Sequence, residues 1–284
     1  MTVESECIVC HIRQVMDVCD FINADEPTRQ SVLKHIMQII INAMDDEPEE
    51  GVDNLIHQEL KKIIHQKDPY VDVKKKSIKK ALEIYPRMVE LADNSVEPLK
   101  TLVELCIAGN VIDFGPSNSH DIEASITEVS SSEKHHFDFL AFSDELNKAK
   151  TVLVLGDNAG ETVFDRILME RLTQRVFYSV KSEPILNDAL MADALDSGIS
   201  ACATIIENGS GVAGTFLPQC SQEFLHLFHS ADMVISKGMA NFETLVNEKR
   251  RIFFLFKVKC GHISRKYNLH LGEYVLIDNQ TLNS

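Results

Sequence analysis

TVLVLGDNAGE, residues 151–161, is a short apolar run that stops abruptly at Gly-Asp-Asn-Ala-Gly-Glu. Thr151 to Leu155 has the length and β-branched content of a buried strand. Gly156 breaks it, and Gly160-Glu161 opens a helical stretch, ETVFDRILMERL. The strand therefore ends on Asp157 and Asn158, a carboxylate beside a carboxamide oxygen. In parallel α/β sheets the carboxyl edge of the strands is where ligands bind. Oxygen donors of this kind suit Mg²⁺, Mn²⁺ or a similar divalent cation. Taken alone, the pair serves equally well as a strand-to-helix turn, because Asp and Asn are good turn and N-cap residues.

Beyond this stretch the pattern alternates. Strands are expected at 151–156, 176–181, 202–206, 232–236, 252–257 and 274–278, with helices at 160–173, 187–197, 219–229 and 240–248. Such alternation implies an α/β fold, a three-layer α/β/α sandwich whose mostly parallel sheet has helices on both faces. Its crossovers should be right-handed. Before residue 150 the apolar residues recur at three- and four-residue spacing, which predicts helices at 6–22, 28–44, 52–65 and 70–93. A fifth, VEPLKTLVELCIAG, closes at Gly109-Asn110. Asp25-Glu26-Pro27, Asp46-Glu47-Pro48 and Asp68-Pro69 punctuate them. The expected division is an all-helical subdomain over 1–114 and an α/β/α unit over 115–284, forming one compact body. Between them, 114–120 reads as a loop, with short helices at 121–129 and 143–149.

The bulk numbers set limits on function. The chain has 284 residues, 44% apolar and 25% charged, ordinary for a globular protein with a large core. No apolar stretch reaches the roughly 18 residues of a membrane span, and no signal peptide opens the chain. A cytoplasmic location and no membrane partner are expected. Net charge is −15, from 28 Lys and Arg against 43 Asp and Glu. That argues against a nucleic-acid surface, which needs clustered positive charge. An anionic substrate must then be met by a local cation, either a metal or a placed Lys or Arg. Whether copies of the chain form a homo-oligomer is not legible.

The strand-to-helix junction at Asp157 does not stand alone. PILND, 184–188, puts Asp188 just past a second strand and before a helix; Asp193, five residues on, is a weaker candidate. ENGSGVAGT, 207–215, places Gly209, Gly211 and Gly214 after a third strand, where backbone amides can cradle an oxyanion. SKGMANFETL, 236–245, ends a fourth on Lys237, with Gly238 permitting close approach and Asn241 and Glu243 opening the next helix. A lysine there can donate to phosphate beside helix amides. Each has a plain reading: N-cap, surface turn, snorkelling lysine, helix-dipole carboxylate. Four at one edge suit metal-assisted phosphoryl transfer. GNVIDFG, 109–115, adds Asn110 and Asp113 in a linker that can hang over the cleft.

Other chemistries find no support. There is no Walker loop, no G-x-G-x-x-G after the first strand and no G-x-S-x-G. Seven cysteines, an odd number, and no secretion signal argue against a disulfide framework. Cys7 and Cys10 form C-x-x-C on the first helix, read as core thiols ahead of half a metal site completed by Cys260 or a histidine.

Together ECIVC with Arg13-Gln14, GNVIDFG, LVLGDNAGE, PILND, the ENGSG turn, SKGMANFE and the closing FKVKC resemble one family. It is the damage-control phosphatases, formerly a domain of unknown function numbered 89, in the archaeal short-form branch with an N-terminal C-x-x-C. The resemblance runs from about residue 6 to 262. It implies a helical N-terminal part packed on an α/β/α sandwich, and a metal (Mg²⁺, Mn²⁺, Co²⁺ or Ni²⁺) held by Asp157, Asn158 and Asp188. It carries a phosphate-contacting lysine onto Lys237, matches Asn241 and Glu243 to the same motif, and sets Asn110 and Asp113 near substrate. It implies hydrolysis of small phosphorylated metabolites, such as sugar phosphates or damaged phosphometabolites, with Lys237 and the Gly209–Gly214 amides stabilising developing charge. Glu207-Asn208 departs from the smaller or hydroxyl residues expected before the glycine turn. A D-x-D after the first strand, needed by haloacid-dehalogenase-like phosphatases, is missing. The rival reading is a non-catalytic metal- or metabolite-binding protein using the same cleft.

Overall fold

The computed structural model describes residues 5–43, 49–110, 127–129 and 135–282. The 114/115 boundary, the 114–120 loop, Asp113 and most of the 121–129 helix lie outside the described residues; 127–129 are helical.

Five helices come first: α1 (Ser5–Phe21), α2 (Glu26–Ala43), α3 (Glu49–Ile64), α4 (Val71–Asp93) and α5 (Pro98–Gly109). The Asp25 carboxylate accepts from the Thr28 amide, 3.0 Å, at the start of α2. α6 (Phe139–Lys148) leads into β1 (Thr151–Leu155), and α7 (Thr162–Met169) follows a 3-10 turn. The order continues β2 (Arg175–Val180), α8 (Met191–Asp196), β3 (Thr204–Glu207), α9 (Gln222–Ser230), β4 (Met233–Lys237), α10 (Met239–Leu245) and β5 (Phe253–Lys257). α11 (Gly261–Tyr267), β6 (Tyr274–Asp278) and α12 (Asn279–Leu282) complete it.

One six-stranded sheet has the order β3-β2-β1-β4-β5-β6. β1 to β5 are parallel and β6 is antiparallel to β5. The fold is α/β, as the alternation predicts. The chain runs outward from β1 through β2 to β3, then crosses back to lay β4 on the other flank of β1. β1 and β4 therefore frame the switch point, where adjacent connections leave a crevice at the carboxyl edge.

Side-chain alternation along each strand feeds two cores, one per face. Val152, Val154, Ile235, Phe253 and Leu255 pack with α4, α5 and α7. Leu153, Leu155, Val234, Phe254 and Phe256 pack with α9 and α10. α1, α2 and α3 bury a third core of Val15, Val18, Val32, Ile36, Ile56 and Leu60. The helical region thus divides: α4 and α5 line the sheet, while α1 to α3 pack on one another and on Leu186.

Two local departures from the expected elements bear on the site. The helix expected at 187–197 begins only at Met191, because 187–189 pair with the backbone after β1 and Leu190 bridges to Lys181 after β2. α11 was not foreseen: GHISRKY has one buried residue, Ile263, too few for a helical period to register.

Candidate active site

Gly156 ends β1 where a Cβ would lie 2.7 Å from the Tyr178 hydroxyl, so the chain turns there on a glycine. The next residues are clipped to the segment after β2 by main-chain bonds. The Ala189 amide donates to the Asp157 carbonyl at 2.8 Å, and the Ala159 amide to the Asn187 carbonyl at 2.9 Å. Asn158 and Asp188 form an antiparallel bridge. This brings together Asp157, Asn158 and Asp188 from two separate junctions. Leu186 enters the clip in the left-handed region, φ 46°, a conformation a branched side chain adopts only when its surroundings impose it.

The side chains form a layered polar cluster. Asn110, at the end of α5, donates from Nδ2 to Asp157 Oδ2 at 3.1 Å and to Glu161 Oε1 at 2.8 Å. Asn158 Nδ2 donates to the same two oxygens, at 3.1 and 2.6 Å. Glu161 Oε2 accepts from Lys237 Nζ at 3.0 Å. Lys237 also donates to Asp165 Oδ1 at 2.7 Å and to the Cys106 carbonyl at 2.9 Å. Tyr178 completes the layer by donating to Asp165 Oδ2 at 2.8 Å.

Cations flank the carboxylates. Lys181 at the end of β2 lies 3.6 Å from Asp188 Oδ2 and donates to the Gly214 carbonyl. Lys259 donates to the Asn110 carbonyl at 2.5 Å. They do not outweigh burial. Burial first, then Glu161 and Asp188, lifts the Asp157 carboxyl well above its ordinary range, against Lys259 and Lys181. Burial pushes Asp188 up to about 6, although Lys181 pulls the other way. Asp188 Oδ2 is buried with no hydrogen-bond partner. A buried acceptor left this way is costly unless something positive meets it. Two carboxylates and an amide oxygen, in a site short of positive charge, fit a hard divalent cation. Among the described residues no three His, Cys, Asp or Glu side chains make a metal-holding group, so the set depends on the Asn158 oxygen. The same holds for Cys7, Cys10 and Cys260, which form no such group.

The remaining candidates have other places. Lys237 is 1% exposed, and three acceptors engage all its ammonium donors, so none is left for phosphate. Burial would lower its pKa, but Asp165 and Glu161 win and raise it, keeping it charged. The lysine matched to a phosphate contact is thus a floor of the site. Asn241 braces that floor, donating to the Gly156 and Lys237 carbonyls and accepting from Thr215. Glu243 lies on the exposed side of α10, opposite Asn241, Phe242 and Leu245.

Part of the glycine turn ties down its own backbone. The Gly209 amide donates to Ser182 Oγ, the Ser210 amide to Asn208 Oδ1 and the Val212 amide to Ser210 Oγ. Those three N–H groups are therefore engaged and cannot serve as the expected oxyanion cradle. A Cβ at Gly211 would meet Glu183 at 2.7 Å. Gly238 serves the site directly: φ is +79°, and a Cβ there would fall 1.9 Å from Asp157 Oδ2.

Sequence reasoning passed over Glu161, Asp165, Lys181 and Lys259. Lys181 ends its strand as Lys237 does, so the same rule would have found it. Glu161 and Asp165 stand one helical turn apart, which is the spacing that lets two carboxylates share one cation. Asp193, a weak candidate, supports the site from behind: it accepts from the Leu190 amide and pairs with buried Lys74 at 3.0 Å.

A family model described as the damage-control phosphatase ARMT1-like domain matches residues 3–275. An uncharacterized protein of Methanocaldococcus jannaschii is 35% identical over 97% of this chain and 95% of its own. Proteins named damage-control phosphatase from Pyrococcus horikoshii and Archaeoglobus fulgidus are 30% and 27% identical. They are covered over 99% and 98% of their lengths, and this chain over 99% and 97%. The crystal structure of the Pyrococcus horikoshii DUF89 family protein superposes with a TM-score of 0.86 at 29% identity, covering 98% of this chain and 99% of that one.

Proposed function

The chain belongs to the damage-control phosphatase ARMT1-like family, and from that premise we propose that it is a metal-dependent phosphatase acting on small phosphorylated metabolites. The observation that carries the metal dependence is the pair of buried carboxylates at the switch point, one with an oxygen that accepts no hydrogen bond and meets only the Lys181 ammonium, at 3.6 Å. Asp157, Asn158 and Asp188 would hold the cation. A bound divalent cation supplies Lewis-acid polarisation of phosphate oxygens.

The protein's own groups do the rest. Asn110 and Asn158 fix the rotamer of Asp157 through its Oδ2. Gly238 leaves room for that carboxylate. Lys181 and Lys259 border the carboxylates; Lys181 is buried on Asp188 and the Gly214 carbonyl, and exposed Lys259 is the cation placed to attract a phosphate dianion against the net charge of −15. Sugar phosphates or damaged phosphometabolites are the substrate class we favour; the names of the Pyrococcus and Archaeoglobus relatives, damage-control phosphatases, bear on the damaged forms alone.

The test is phosphate release from a sugar-phosphate panel with Mg²⁺, Mn²⁺, Co²⁺ or Ni²⁺ in turn. Release is expected with at least one metal, none with chelator, and a loss of about 100-fold or more in Asp157→Ala. Silence of the wild type with every metal and substrate would favour a non-catalytic binding protein.

A further inference from the structure

We propose that Lys237 is a positioning residue of the metal site: a buried counter-ion that fixes Glu161 and thereby sets which end of the Asn158 amide faces the cation. The inference rests on the metal-site reading above. A carboxamide is ambivalent, because its oxygen can bind a cation and its NH₂ group repels one. At Asn158 the choice is made by its neighbours. Both hydrogens of Nδ2 have acceptors, Asp157 Oδ2 at 3.1 Å and Glu161 Oε1 at 2.6 Å. The oxygen is the end left for a cation.

Glu161 can act as that acceptor only while its carboxylate is held in place. Its two oxygens divide the work: Oε1 takes the amides of Asn110 and Asn158, and Oε2 takes Lys237. Lys237 itself is fixed on its other sides by Asp165 and the Cys106 carbonyl. Glu161, Asp165 and Lys237 are each 1–2% exposed, so no solvent cation can replace the lysine. Without it, two carboxylates would stay buried and unpaired, and Glu161 would be pressed to turn away. That movement frees the Asn158 amide to flip. The lysine of the KG motif therefore governs metal affinity, and not phosphate affinity.

The experiment is isothermal titration of the full-length protein with Mn²⁺, followed by inorganic phosphate on the Mn²⁺-saturated protein. Lys237→Met and Glu161→Gln are each expected to weaken Mn²⁺ binding by about tenfold or more, the usual effect of removing a group that orients a ligand. Phosphate affinity of saturated Lys237→Met should stay within about threefold of wild type, well inside that effect. Asp165→Asn separates positioning from mere stability. It unsettles the same buried cluster but leaves Glu161 on Lys237, so its melting temperature should fall while its Mn²⁺ affinity stays within about threefold. Wild-type Mn²⁺ affinity in Lys237→Met together with lost phosphate affinity would overturn the proposal and make the lysine a phosphate donor. If Lys237→Met does not fold, Glu161→Gln decides, and unchanged Mn²⁺ affinity there is equally fatal. A wild type that binds no divalent cation would sink the metal-site reading as well, so the two failures look different.

Discussion

Asp188 carries the sharpest conflict of any single residue in the site. Its carboxyl is pushed up to about 6 from an ordinary 3.8, because burial outweighs the help of Lys181. A carboxyl whose folded value exceeds its unfolded one binds its proton more tightly in the native state. It therefore favours folding below about pH 4 and opposes it increasingly as pH rises from 4 through 6. At neutral pH the penalty is about 3 kcal/mol in the metal-free protein. Asp188→Asn should accordingly raise the stability of the chelated protein by about that amount at pH 7.5, and by much less at pH 4.5. Urea denaturation in the presence of chelator reads this directly; an equal gain at both pH values would mean that charge is not the cause. The same asymmetry predicts that divalent-metal affinity falls as pH drops through 6, where protons compete for the carboxylates.

At the scale of elements, the turn from β4 into α10 shows how a sheet edge makes room for chemistry. Gly238 has φ +79° and faces Asp157 Oδ2, whereas Gly272 has φ +87° and nothing within 4 Å. An alanine at either position strains the backbone by about 1 kcal/mol or somewhat more. Only Gly238→Ala also displaces the carboxylate. Both variants should melt lower, but Mn²⁺ binding should be lost in Gly238→Ala and kept in Gly272→Ala. Calorimetric titration of the pair separates strain from steric exclusion. The strands were the most legible elements, since buried strands read as apolar runs: all six lie within two residues of their expected bounds, the partly exposed β3 included. Helix ends were less so. Residues 187–189 have helical composition but use their backbone groups to clip Asp157 and Ala159, a tertiary demand that local sequence does not express. The site was half legible for the same reason. Asp157, Asn158 and Asp188 announce themselves at strand ends, while the burial of Lys237 and the internal bonding of Gly209 emerge only when layers pack.

For the molecule as a whole, the three-helix lobe of α1 to α3 touches the loop that carries Asp188. Lys61 of α3 donates to the Pro184 carbonyl, and Leu186 packs on the lobe's core. Beside this contact Lys74 is 2% exposed, paired with Asp68 at 2.7 Å and Asp193 at 3.0 Å. Lys74→Met would leave buried Asp193 and half-buried Asp68 without their cation, and should cost about 3 kcal/mol of stability. Equilibrium denaturation checks the magnitude; a change under about 1 kcal/mol, as for an exposed pair, would show that solvent reaches these groups. No helix among the described residues is long and apolar enough to cross a membrane. The clip between 157–159 and 187–189 has a consequence for how this protein can change over time. The spacing of its two aspartates is set by peptide N–H and C=O groups, which almost every residue carries. Side chains along the clip can therefore drift among relatives while the gap between the carboxylates is inherited intact. Proline is the substitution this freedom does not cover. Ala189→Pro, which removes the one N–H bonded to the Asp157 carbonyl, should uncouple the aspartates although it touches neither.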